Sequence, residues 1–131
     1  LDKIVVYVDS KYFLLKGRMM LKVRIKVSND LSFEIEGKDH KEIFEQISGI
    51  SDVFSNDKCG RCGGLAKFNT REVDSNKFYE ARCTNPKCRA KLSFGSHKSG
   101  GTLFPKRSAD DGKYHQFQGW KIYDREQNKE I

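Results

Sequence analysis

All four cysteines of this 131-residue chain fall between positions 59 and 88, as two close pairs. Cys59-Gly60-Arg61-Cys62 carries two residues between its thiols, and Cys83-Thr84-Asn85-Pro86-Lys87-Cys88 carries four. Two loops that each offer two sulfurs are what a tetrahedral cation demands, with bonds of about 2.3 Å for Zn²⁺. Gly60, Gly63 and Gly64 leave the first loop free to aim backbone amides at the sulfurs, and Pro86 suits the turn of the second. Nothing at the start of the sequence has the parts of a secretory signal, which argues against disulfides. A redox-active pair needs a βαβ setting that is not visible. The expectation is a closed structural Zn²⁺ site on Cys59, Cys62, Cys83 and Cys88, with His97 as an alternative ligand.

Between the pairs, residues 65–69 and 78–82 read as short strands flanking a turn cluster at 74–77, and 90–94 as a third strand. Loop, hairpin, loop and third strand over residues 57–95 resembles the zinc ribbon class. That resemblance implies a small antiparallel sheet and is nearly silent about function, since ribbons serve in transcription, replication and ribosomal proteins alike.

Upstream, Leu21, Val23, Ile25 and Val27 alternate with Lys22, Arg24 and Lys26, the period of a half-buried strand. Ser28-Asn29-Asp30 makes a turn, and Leu31, Phe33 and Ile35 repeat the alternation. Asp39 with Glu42 three residues on forms a capping box, so a helix is expected with Ile43, Phe44, Ile47 and Ile50 as its apolar stripe and Gly49 as its stop. This gives a ββα module over 20–56. Residues 1–19 read as a strand at 4–8 pairing with 12–15. They form either an extra edge hairpin or a non-native extension ahead of a module that starts at Met19 or Met20. The fold class expected is α+β: a small antiparallel sheet with one helix (the ββα module), a four-cysteine zinc ribbon, and residues 96–131 as a basic, aromatic extension packing on the ribbon.

Charge separates the two halves. Residues 1–57 hold 9 basic and 10 acidic side chains, whereas 58–131 hold 16 and 8. Residues 81–121 alone carry 9 basic groups against Asp110 and Asp111, which equals the whole excess of +7. Basicity so concentrated suggests a polyanionic partner. Aromatic residues are interleaved with it, as in single-strand binding, where cations neutralise phosphates and rings stack on bases. The candidates are Arg82, Arg89, Lys91, Phe94, Lys98, Phe104, Lys106, Arg107, Lys113, Tyr114, Phe117, Trp120 and Lys121. Phe104, Phe117 and Trp120 either stack on bases or fold back over the ribbon core.

Residues 91–95, 100–107 and 119–121 together resemble small zinc-ribbon proteins of phages and mobile elements. That resemblance implies a single-stranded-DNA-binding accessory of replication or recombination, with a replication or recombination protein as a further partner. The expected partner is thus single-stranded DNA or RNA, in the cytoplasm and without a membrane. No nucleophile–base pattern, phosphate loop or carboxylate cluster points to catalysis. The competing reading is a protein-binding module, an adaptor or an inhibitor of a host nucleic-acid enzyme, with acidic residues 39–45 facing its partner.

Overall fold

In the computed structural model the chain divides into two compact units, Leu1–Ser55 and Asn56–Ile131. The structure describes residues 11–15, 17–28, 30–98, 100–108 and 111–131. The strand expected at 4–8 lies outside them. Mostly antiparallel β structure with one helix comes first, followed by a sheet that contains the four-cysteine cluster. Among the described residues no helix is long and apolar enough to cross a membrane.

Among its described residues the first unit is a three-stranded sheet, β1 (Lys11–Leu15), β2 (Arg18–Lys26) and β3 (Ser32–Gly37), with α1 (His40–Phe54) following β3. The alternation in β2 buries Leu21, Val23 and Ile25, which join Val27, Ile35 and Ile43 in one cluster. Burying such an aliphatic side chain contributes about 1.5–3 kcal/mol. The outward residues pair across the ladder, Lys22 with Glu34 at 2.5 Å and Arg24 with Glu34 at 3.3 Å. β1 pairs with the start of β2, Leu14 opposite Met19 and Phe13 opposite Met20. Residues 11–15 therefore form a strand of the same sheet, and the expected boundary at 19/20 falls inside β2.

The Asp39 carboxylate accepts from the Glu42 amide at 2.9 Å and starts α1 as the capping box predicts. Gly49 does not stop it. The helix runs on to Phe54 because Val53 is buried and Phe54 packs on Phe33, with centroids 5.1 Å apart. That anchoring outweighs the roughly 0.5–1 kcal/mol cost of a mid-helix glycine. Phe44, expected in the stripe, is 74% exposed.

In the second unit β4 (Ala66–Val73), β5 (Asn76–Cys83) and β6 (Lys91–Ser96) form a meander, and β7 (Leu103–Pro105) and β8 (Trp120–Lys121) both pair with β6. A small hairpin of β9 (Tyr123–Asp124) and β10 (Lys129–Glu130) follows. Asp74 and Ser75 both have positive φ, +49° and +66°, which makes a two-residue turn of the kind that matches strand twist. Residues 96–131, expected as an extension packing on the ribbon, share one unit with residues 57–95, because β7 and β8 pair with β6. Leu92 and Trp120 face each other across β6 and β8 and are buried with Ala81, Ala90 and Phe94. Gly119, at φ +96°, allows that arrangement, since a Cβ there would stand 2.1 Å from the Lys106 carbonyl oxygen.

Candidate functional site

The loop after β5 and the loop before β4 bring Cys59, Cys62, Cys83 and Cys88 together, with all four Sγ atoms within 4.8 Å of one another. Cys59 and Cys88 sulfurs lie 3.7 Å apart, and Cys62 and Cys83 sulfurs 3.4 Å apart. A tetrahedron with bonds of about 2.3 Å has edges of about 3.8 Å, so the cluster matches the size of a zinc–tetrathiolate centre. Each thiol also meets the amide two residues on. Arg61 N–H donates to Cys59 at 3.3 Å, Gly64 N–H to Cys62 at 3.3 Å and Asn85 N–H to Cys83 at 3.4 Å, while the Ala90 amide favours the Cys88 thiolate. Four sulfurs with oriented amide donors can hold a metal ion.

The unequal spacing of the two pairs has a structural cause. Gly63 N–H donates to the Cys59 carbonyl at 3.0 Å, and in the second loop Arg89 N–H donates to the Asn85 carbonyl at 3.1 Å. Gly63 and Arg89 both sit at positive φ, +76° and +59°. The Lys87 amide donates to Asn85 Oδ1 at 3.0 Å, as the Arg61 amide does to Cys59 Sγ. Asn85 thus stands where the first loop has Cys59. The missing thiol comes from two residues earlier, at the end of β5.

The thiols differ electrostatically. The Gly64 amide, followed by Cys83, pulls exposed Cys62 down to about 7, whereas burial pushes Cys83 up to about 12 and also raises Cys88. A coordinated cation removes this difference by deprotonating all four. His97 is not in the cluster. Its Nδ1 lies 3.0 Å from Thr102 Oγ1 and its ring is beside Phe104.

Trp120 packs on the first loop. A Cβ at Gly60 would lie 2.3 Å from its Cδ1. Arg61, between the two cysteines, spreads its guanidinium over Phe117, 4.1 Å from the centroid, and donates to the Ile131 carbonyl at 2.5 Å. Trp120 and Phe94 are therefore core, at 5% and 8% exposure, with no ring face left for a base. Phe117 is half-buried under Arg61, and Phe104 covers Gly95 opposite it on β6, 2.6 Å from where a Cβ would be. Arg107 donates to Asn56 Oδ1 at 2.7 Å. Arg89, Lys98, Lys106 and Lys113 are exposed on loops, and Tyr114 is 73% exposed.

The remaining candidates meet on the sheet face away from Leu92. Lys67 pairs with Arg82, Arg82 with Lys91 and Lys91 with Lys121, so one line of four cations crosses β4, β5, β6 and β8. Next to it, Asn69, Glu80 and Ser93 form a polar line. Glu80 is buried and accepts from Arg82 Nε at 2.8 Å, Arg71 Nε at 3.2 Å and Asn69 Nδ2 at 3.3 Å. Beyond these, Arg71 lies over the partly exposed Phe78 ring at 4.7 Å. The sequence reading named Arg82, Lys91 and Lys121 but missed Lys67, Asn69, Arg71 and Phe78. The period-two polarity of 67–71 and the Asp74-Ser75 turn were the signals for them.

Comparison with protein-family models, with curated proteins and with solved structures gives no match.

Proposed function

We propose that the Asn56–Ile131 unit binds single-stranded nucleic acid, DNA in the first instance, on this sheet face. Zn²⁺ serves as a structural ion on Cys59, Cys62, Cys83 and Cys88, and no catalytic step is involved. The observation that carries the reading is the line Lys67, Arg82, Lys91 and Lys121. Like charges directly opposite one another destabilise a sheet; Glu80 on Arg82 and Glu130 on Lys91 offset part of that cost, and a polyanion relieves the rest. With strands about 4.8 Å apart, the line runs about 14 Å across four strands. Phe78 and Arg71 on the same face offer a ring and a guanidinium plane for stacking, worth about 1–3 kcal/mol per base. Exposed Lys98, Lys106, Lys113 and Tyr114 extend the basic, aromatic character over the loops. The resemblance to zinc-ribbon proteins of phages and mobile elements would put this activity beside replication or recombination proteins.

The test is a titration of zinc-loaded protein against labelled single-stranded DNA, duplex DNA and RNA at two salt concentrations. Four phosphate contacts correspond to a log–log salt slope of about −2.8 for a single strand. Single-strand preference with a slope near that value supports the reading. Folded protein without single-strand affinity at low salt overturns it in favour of a protein-binding module.

A further inference from the structure

Among the described residues, Lys67, Arg71, Arg82, Lys91 and Lys121 share the basic face with the carboxylates of Glu80 and Glu130. The two carboxylates are placed differently. Glu80 belongs to β5 and is locked under Asn69, Arg71 and Arg82 within the sheet. Glu130 comes from outside the sheet, on β10, and its Oε1 lies 2.7 Å from Lys91 Nζ in the middle of the cation line. Lys121, directly across from Lys91, and Arg71 also act on it, and with the Lys91 hydrogen bond as the largest influence they hold its carboxyl below the usual range.

The element that carries Glu130 is small. β9 and β10 pair over two residues each, Ile122 and Ile131 exchange backbone hydrogen bonds of 2.9 and 2.8 Å, and the turn is closed by Asp124 accepting from the Glu126 amide at 2.9 Å. The two-residue ladder is mostly exposed and, besides Lys91 on Glu130, is tied down by Arg61 on the Ile131 carbonyl, so this hairpin, which must give up both contacts to lift, opens more readily than the larger sheet.

We propose that Lys91 and Lys121 form a phosphate subsite which the Glu130 carboxylate fills in the free protein. The inference rests on the single-strand reading above and adds a regulated step to it: a strand crossing the cation line displaces Glu130 and lifts β10 from Lys91. A phosphodiester oxygen takes the place of Oε1 at the Lys91 ammonium, with no covalent change. The carboxylate then returns to water.

Glu130→Gln removes the charge and keeps the side chain's size. Glu126→Gln, in the turn of the same hairpin, changes the net charge equally without touching the line and serves as the control. The Lys91–Glu130 pair is partly exposed, so breaking it costs a factor of up to about five in affinity. Glu130→Gln is expected to tighten single-stranded DNA binding by up to about fivefold at low salt and Glu126→Gln to leave it nearly unchanged. The gain should disappear in a Lys91→Gln background, as a coupled pair requires.

A second readout is independent of nucleic acid. Titration with inorganic pyrophosphate, followed by NMR, should move Lys91 and Lys121 signals in Glu130→Gln at concentrations that leave wild type unmoved. Equal effects of Glu130→Gln and Glu126→Gln on a protein that does bind DNA would overturn the subsite and leave the proposed function standing. Pyrophosphate shifts at Lys91 and Lys121 in Glu130→Gln without DNA binding by any variant would support the subsite and overturn the function. Absence of pyrophosphate shifts together with absence of DNA binding by any variant overturns the subsite as well as the function.

Discussion

Trp120 lies so close over Gly60 that a Cβ on the glycine would stand 2.3 Å from Cδ1 and 2.7 Å from Nε1 of the indole. The contact joins the first cysteine loop to β8, sixty residues later, and makes the cysteine cluster and the sheet one packing problem. Gly60→Ala should destabilise the Asn56–Ile131 unit by about 1–3 kcal/mol, because either the indole or the loop must shift. Chemical unfolding of the zinc-loaded variant checks the figure. An unchanged midpoint would show that the loop absorbs a methyl group freely.

Trp120 is the one tryptophan of the chain and, packed on the first cysteine loop, a reporter on the proposed metal site. Removing the metal with a chelator should shift its emission to the red as the first loop leaves the indole. Structural zinc sites supply about 10–16 kcal/mol of apparent binding energy, so the Asn56–Ile131 unit should unfold with the metal. Helical circular dichroism from α1 should survive, since its core of Leu21, Val23, Ile25, Ile35 and Ile43 is complete without any cysteine. Loss of the helix in the same transition would contradict two independent cores. Well under one zinc per chain in protein purified without chelator would contradict the metal assignment itself.

Gly49→Ala offers the opposite sign. The position is inside α1, and nothing lies within 4 Å of where its Cβ would be. Stability of the first unit should rise by about 0.5–1 kcal/mol, the propensity difference between the two residues. Thermal unfolding decides it, and a decrease would mean that the glycine has a role not visible in α1.

The pH response of Glu130 follows from its depressed carboxyl. A carboxylate whose folded pKa lies below its unfolded value adds stability above the unfolded value, near 4.3, and loses it as pH falls through the folded one. The β9–β10 hairpin should therefore stay docked across pH 5–8 and loosen only in acid. A Glu130 carboxyl titration followed by ¹³C NMR should have its midpoint below the ordinary glutamate value. A midpoint at or above that value would remove the Lys91 contact from the solution structure.

The four-cysteine cluster and the first unit were legible in the sequence for local reasons. Cysteine spacing, the period-two alternation of 21–27 and the Asp39–Glu42 capping box each act over a few residues. The end of α1 was not, because Val53 and Phe54 hold the last turn through packing that outweighs the local stop signal at Gly49. Trp120 reads equally well as a stacking ring and as core, and Phe94 reads as a binding residue; the pairing of β8 with β6 and the burial of both rings make them core. The cation line is non-local too. Its four members are separated in sequence by 9 to 30 positions and meet through register: the two-residue turn at Asp74 and Ser75 sets Lys67 opposite Arg82, and β6 adds Lys91 and Lys121.

The most direct test of the central claim is where a single strand touches the protein. Isotope-labelled, zinc-loaded protein titrated with a short single-stranded DNA should show its largest amide shifts at Lys67, Arg82, Lys91 and Lys121, with Phe78 following. A Lys67→Gln, Lys121→Gln double variant should reduce both the shifts and the salt slope, the latter by about 1.4. Shifts confined to residues 11–55, or none at all at low salt, would contradict the account.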